Sequence, residues 1–361
     1  MTSKNKTPRI AQAGFTLVEL MVGLTIGLLA VMIIIQVISV FEAQQRSTSG
    51  SADAQTNGGI ALYTVGRDMQ MAGFPLVPFT NSPLECTAFT YGATGITGIA
   101  PALITDGVAA GTTNASDTIT IRYGTSAMGG VPTQVSSLVG SAATVGTNLG
   151  CSVNDITILN TTTTCNLSSV TAVSAAGTSP ISVTLQNTTG ATSGANLACL
   201  GSWNEVSYAV NQTTGNLDRT AVVNGVSTTT PSVVGVVNIQ AQYGISATAG
   251  SNTIVSWVDP TGATWGTTAT TPTTANRNLI KAIRIAVVAR NANQAPSAVT
   301  TACSSLTAAA PTGLCAWEGS ATSPAPTISL VNGDANWAKY RYRVFQTIVP
   351  LRNVIWSKDT L

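Results

Sequence analysis

The sequence predicts an α+β chain: one long amino-terminal helix packed on a large, mostly antiparallel β region with long loops and disulfides. Three observations carry that expectation. No charged residue occurs from Leu20 to Phe41. Apolar spacing stays partly helical as far as Gly73 and turns to period 2 beyond Leu76. Only 8% of the 361 residues are Asp, Glu, Lys or Arg, against about 25% in an average soluble domain.

The amino-terminal element comes first. Residues 1–14 carry Lys4, Lys6 and Arg9 and no acid. The uncharged run that follows is 22 residues long; as a helix it covers about 33 Å, enough to cross a ~30 Å hydrocarbon core. By the positive-inside rule the basic flank stays cytoplasmic and the chain after Phe41 is exported. A secretory signal peptide fits poorly, because its apolar region is only about 7–15 residues long and ends at a small-residue cleavage site. Glu42-Ala43-Gln44-Gln45-Arg46 is no such site. Gly23 and Gly27 form a G-x-x-x-G pair, which permits close helix contact in a membrane, although glycine is also simply common there.

Past Phe41 the helix is expected to continue. Leu62, Val65, Met69 and Ala72 recur at i+3 and i+4, and proline is absent until Pro75. Gly50, Gly58 and Gly59 each lower helix propensity by about 1 kcal/mol relative to Ala, so a local break is expected there. Gly73-Phe74-Pro75 ends the element. The predicted organisation is therefore 1–14 leader, 15–41 membrane helix, 42–73 its soluble continuation and 74–361 an exported β-rich head.

Strands are read at 117–123, 156–159, 181–185, 205–210, 233–243 and 279–290, with a hairpin turning through 211–216 into Leu217-Asp218-Arg219. Thr-, Ala-, Gly- and Ser-rich stretches at 92–115, 124–150, 186–198, 225–232, 260–276 and 291–328 read as loops. Net charge is +2 overall, but residues 81–276 hold two bases against seven acids and 277–361 nine bases against three acids. Within the basic part, Lys339-Tyr340-Arg341-Tyr342-Arg343 mixes cations with aromatics. That pattern suits single-stranded nucleic acid. Its alternation favours an edge strand with Lys339, Arg341 and Arg343 in solvent and Tyr340, Tyr342 and Val344 packed inward.

Composition excludes several chemistries. The chain contains no histidine, which removes Ser-His-Asp triads, imidazole shuttles and His-ligated metals. Carboxylates are too scattered for a paired-acid site. No P-loop or dinucleotide fingerprint occurs, so neither an enzyme nor a cofactor is expected. Asn332-Gly333-Asp334-Ala335-Asn336 hints at calcium ligands but lacks the 12-residue loop and closing Glu, and a turn is the simpler reading. The six cysteines, Cys86, Cys151, Cys165, Cys199, Cys303 and Cys315, all follow the membrane segment and contain no C-x-x-C, which points to disulfides in an oxidising compartment. Short-loop closure favours Cys303–Cys315 and Cys151–Cys165, leaving Cys86–Cys199.

Glu19 is the anomaly, a carboxylate at the head of an oily helix, where deep burial in a bilayer costs about 2.5–3.5 kcal/mol. Gly14-Phe15-Thr16-Leu17-Val18-Glu19 resembles the processing motif of type IV prepilins and pseudopilins. The resemblance implies cleavage after Gly14 by a membrane aspartyl peptidase and N-methylation of Phe15. It also implies pairing of Glu19 with the amino terminus of an adjoining subunit. Further on, Ser116–Gly124, Gly235–Gly244, Ile283–Arg290 and Tyr340–Asn353 resemble, in order, segments of the minor pilin PilW family. That likeness implies a minor pilin that joins other minor pilins and the major pilin, served by prepilin peptidase and the inner-membrane assembly machinery. Before assembly its helix sits in membrane lipid with the head periplasmic; afterwards it primes the pilus and occupies the tip. A pseudopilin of type II secretion shares the first motif and remains the alternative. Nucleic-acid binding stays open, supported only by the basic carboxy-terminal portion.

Overall fold

In the computed structural model the described residues are 14–76, 86, 88–92, 98–107, 116–148, 150–161, 164–175, 177–266, 272–330 and 334–355. The chain divides into two units, 1–50 and 51–361. Helix α1 runs unbroken from Leu17 to Gln70, so the break expected at Gly50–Gly59 does not occur. In the second unit Ala54, Gly58, Ala61, Val65 and Met69 are buried, a single stripe at helical spacing. Gly58 is where a sheet comes closest: a methyl group there would fall on the Phe345 ring and 3.1 Å from Ala289 Cβ. The glycine serves close approach rather than breakage. The helix stops at Gln70, short of the expected Gly73, and the Asn353 side-chain amide donates to the free carbonyls of Gln70 (3.3 Å) and Ala72 (3.0 Å).

Among the described residues sixteen strands follow. β1 (Ala88–Tyr91), β2 (Ala102–Thr105) and β3 (Thr118–Tyr123) precede a block of β4 (Thr133–Val139), β5 (Ala142–Val145), β6 (Ile156–Asn160), β7 (Thr164–Val173), β8 (Ser182–Leu185) and β9 (Asn196–Gly201). Then come β10 (Asn204–Asn211), β11 (Asn216–Val223), β12 (Val226–Val234), β13 (Val236–Ser246), β14 (Ile254–Val258), β15 (Ile280–Arg290) and β16 (Tyr342–Pro350). Four stretches read as loops are therefore strands in part: 92–115 holds β2, 124–150 holds β4 and β5, 186–198 holds the start of β9, and 225–232 falls in β12 from Val226 onward.

The strands form three sheets. One has the order β12-β11-β10-β3-β2 and another β14-β13-β15-β16; every pairing within them is antiparallel. The stripe on α1 shares one core with both, including Ile119, Ile121, Tyr208, Leu217, Ile283 and Ile285. Asp68 ties the helix to the first of them, accepting from the Tyr208 hydroxyl at 2.7 Å and Arg219 Nε at 2.9 Å. The far face of the second sheet is covered by the 291–330 connection, whose Leu314, Ala316, Trp317, Ala325 and Ile328 pack on Val237, Ala286 and Val288.

The third sheet runs β1-β7-β6-β9-β4-β5-β8, and the long β7 also pairs with β8. That second pairing closes six strands into a small barrel with its own core of Val135, Val145, Leu159, Val170, Val183, Leu185 and Leu197. Strands β6 and β9 form the wall that faces the main core: Ile156, Ile158, Ala198 and Leu200 point out of the barrel into it.

The disulfides follow this topology. The structure joins Cys86 to Cys165, Cys151 to Cys199 and Cys303 to Cys315. The expected Cys151–Cys165 and Cys86–Cys199 pairs are corrected. β1 lies parallel to β7 with Phe89 opposite Cys165, which brings nearby Cys86 to that sulfur. Cys199 and Cys151 instead meet at the barrel core. Loop length was a weak guide, because closing 48 residues rather than 14 costs only about 1 kcal/mol more.

Candidate functional site

The assembly motif is read from the amino-terminal unit alone. Gly14, Phe15 and Thr16 precede the first helical residue, Leu17, and every residue from Gly14 to Phe41 is exposed. Phe15 retains 88% of its accessible surface. One stretch of this helix is long and apolar enough to cross a membrane, with a mean hydropathy of 2.6 over its best window. The hydroxyls within the run are satisfied by the helix itself: Thr25 Oγ1 donates to Val22 O at 2.9 Å and Ser39 Oγ to Gln36 O at 2.8 Å. That is the arrangement a lipid-facing helix requires.

Glu19 has local partners that the sequence reading passed over. Its carboxylate accepts from Thr16 N at 3.0 Å and Thr16 Oγ1 at 2.9 Å, while Glu19 N donates to Thr16 Oγ1 at 3.3 Å. This is a capping box, in which the N-cap threonine and the glutamate three residues on satisfy each other's backbone donors. The signal was present as Thr16-x-x-Glu19 directly before an apolar run. Gly23 and Gly27 are both open, and a methyl group added to either meets no atom within 4 Å.

The basic aromatic cluster is divided between two elements. Trp337–Lys339 form a 3-10 turn closed by Tyr340 N donating to Trp337 O, so Lys339 and Tyr340 lie outside the strand, contrary to expectation. Tyr340 instead lies under the Arg290 guanidinium, 4.5 Å from its ring centre. In β16 and just before it, Arg341 and Arg343 are exposed, while Tyr342 and Val344 are half-buried against the 291–330 cover. Of the calcium-like segment, residues 332–333 lie outside the described residues. Asp334 pairs with Arg290 at 3.2 Å and accepts from Asn336 N at 2.8 Å, a turn-forming role. Among the described residues no group of acidic or cysteine side chains is placed to hold a metal ion.

Electrostatically the head's most perturbed carboxyl is Asp117. Burial pushes it up to about 8, against the pull of the Ala241 and Gly107 backbone N–H groups; the charges of Asp106 and Asp259 add to the rise. It pins β3 to β13 through the 2.8 Å bond from Ala241 N, a structural role.

Comparison with known proteins agrees with these features. The family model "Prokaryotic N-terminal methylation motif" matches residues 9–35, and the model "Type IV Pilus-assembly protein W" (PilW) matches residues 207–353. No curated protein matches the chain. Among solved structures, the type IV-like pilin TTHA1219 from Thermus thermophilus aligns over 56% of this chain and 86% of its own length. Its identity is 14% and its TM-score 0.24, a likeness too slight to argue from. The two family models match this chain in part, one for the methylation motif and one for a pilus-assembly protein, and neither spans half of it. More particularly, the PilW match runs from within β10 to just past β16, and the amino-terminal motif fits a membrane-anchored pilin.

Proposed function

We propose that the chain is a minor pilin, cut after Gly14 and methylated on the new amino terminus of Phe15. It then joins other minor pilins in the complex that primes the pilus and occupies its tip. The carrying observation is the methylation motif heading a helix whose apolar residues from Phe15 to Phe41 are all exposed. Such a surface is stable in a bilayer or among like helices, not in water. In this reading 15–41 waits in the inner membrane with the leader cytoplasmic and the head periplasmic. The amine freed on a neighbouring Phe15 meets Glu19, and the open Gly23–Gly27 face admits another helix. The remaining partners are the major pilin, prepilin peptidase and the inner-membrane assembly machinery. The role is structural, with no catalytic step.

Tip placement is favoured by bulk. The second unit spans Ser51–Leu361, including a barrel that neighbours along a shaft would have to accommodate and a terminal position would not. Two measurements test the proposal. Full-length protein isolated from inner membranes should begin at N-methylated Phe15 by mass spectrometry; retention of residues 1–14 overturns the processing. Immunogold on sheared pili should mark ends, whereas even decoration of shafts refutes the tip. A deletion that left pili and twitching intact but blocked exoprotein release would reassign the chain to type II secretion.

A further inference from the structure

The free edge of β16 has the properties of a docking strip. Leu351 N donates to Lys281 O and Asn291 N to Arg341 O, each at 2.9 Å. Both bonds continue the β15–β16 register, in which Arg343 faces Ala289 and Thr347 faces Ile285. Hydrogen-bonded pairs alternate along an antiparallel ladder, so the odd-numbered residues of β16 point their backbone groups at β15. The even-numbered ones, Val344, Gln346 and Ile348, point theirs away, at the sheet's outer edge. Pro350, which has no N–H to give, falls in the same outward set.

The other sheet edges are managed differently. At β14, Trp257 N donates to Ser323 Oγ at 3.1 Å; at β2, Ile104 N donates to the Tyr243 hydroxyl at 2.7 Å. β12 is exposed but uncharged. Among the described edges β2, β12, β14 and β16, open backbone and charge coincide around β16. Arg341 and Arg343 line a polar cavity at one end. At the other, Arg67 and Arg352 flank a groove of about 480 Å³ between α1 and β16. No acidic residue lines either cavity or occurs in the strand. None of the four arginines belongs to an ion pair among the described residues. Tyr63 and Ile348, 70% and 51% exposed, add apolar surface.

We infer that β16 accepts an added strand from a partner, an extended segment carrying acidic side chains that reach these arginines. Outward carbonyls as well as N–H groups call for a partner with alternating donors and acceptors, which a peptide backbone has and a phosphate backbone lacks. A second copy does not suit, because no other open edge strand described in this chain bears an acid. The partner's being another pilus subunit rests on the pilin reading; recognition of an acidic strand does not.

The test uses the full-length chain in detergent micelles and fluorescein-labelled short peptides, read by fluorescence anisotropy. A peptide alternating glutamate with valine should bind, and its lysine counterpart should not. Ile348→Pro removes one outward N–H that β15 does not use and should weaken binding at least about tenfold; so should the double change Arg341→Glu, Arg343→Glu. Should Ile348→Pro disturb the fold, backbone N-methylation of the glutamate peptide on one edge makes the same cut in the ligand and should abolish binding. Failure of the glutamate peptide to bind, or binding indifferent to N-methylation, overturns the inference. So does duplex DNA displacing the peptide while remaining insensitive to Ile348→Pro, which would mark a phosphate surface. A pilus-assembly defect is scored separately, so failure of the pilin reading leaves the peptide result standing.

Discussion

Glu19 answers two demands, and substitution separates them. In the single chain its carboxylate completes a capping box with Thr16; in the proposed filament its charge meets a neighbour's amine. Glutamine at the same position keeps the capping geometry, since the box accepts Gln as well as Glu, but removes the charge. Glu19→Gln should therefore insert into membranes normally yet fall out of sheared fibres by immunoblot. Recovery at the wild-type level would reduce Glu19 to a cap. Thr16→Ala reverses the loss: it costs the helix end about 1 kcal/mol but leaves the charge, so incorporation should persist. A second pair of residues makes an equally direct contrast. Gly58 lies under Phe345 and Ala289, whereas a methyl group at the adjacent Gly59 meets nothing within 4 Å. Gly58→Ala should destabilise the head by about 1–3 kcal/mol through overpacking. Gly59→Ala should stabilise it by up to about 1 kcal/mol through helix propensity. Denaturant midpoints of the full chain in micelles check both signs.

The elements differ in how plainly their residues announce them. The amino-terminal helix was legible because a run without charge has few other solutions, and β15 because Ile283, Ile285 and Val287 alternate with Arg284. The first half of β9 was read as loop and the rest as no strand: Asn196-Leu197-Ala198-Cys199-Leu200-Gly201 shows no period 2, since its two faces serve two cores, Leu197 and Cys199 inside the barrel and Ala198 and Leu200 outside. A strand buried on both sides loses the alternation by which a half-solvated strand is recognised. β12 escaped for the opposite reason. Six of its first six residues are exposed, so it has no apolar face to show, and it is held by pairing with β11, including the 2.8 Å contact of Thr220 and Thr229 hydroxyls. Glycine propensity argued for a break in α1 at 50–59 and lost, because the glycine at 58 is paid back by the sheet that fits against it. At the motif, the family-like spacing and the Thr16-x-x-Glu19 capping pattern were visible from sequence, while the open β16 edge needed the ladder register to be placed.

At the scale of the molecule, covalent links and a buried acid set how the head responds to its surroundings. Two disulfides converge on the barrel and the third staples the cover of residues 291–330. In the chain-entropy account, Cys151–Cys199, separated by 48 residues, contributes about 4 kcal/mol, and Cys303–Cys315, separated by 12, about 3 kcal/mol. Replacing both cysteines of either pair with serine should lower the unfolding midpoint, with the larger loss for Cys151–Cys199. An equal or inverted order would mean that native strain or residual unfolded structure outweighs loop length. Asp117 sets the response to pH. Its carboxyl titrates near its ordinary 3.8 in the unfolded chain and is pushed up to about 8 in the fold, so the folded state holds the proton more tightly. By linkage, this group's contribution to stability is fully present below about pH 4, declines as pH rises towards 8, and is lost above that. The other carboxyls raised by burial, Asp155 and Asp259, act in the same direction. The side chain cannot simply be neutralised for free: Asn at this position keeps the bond from Ala241 N through its carbonyl but presents an amide towards Gly107 N. Asp117→Asn should therefore lower stability at pH 4 while flattening the decline between pH 5 and 8, as read from chemical denaturation of the full chain at fixed ionic strength. A variant whose pH profile runs parallel to the wild type would show that the acid-side stability comes from other carboxyls, and that Asp117 ionises in place with β3 and β13 still joined.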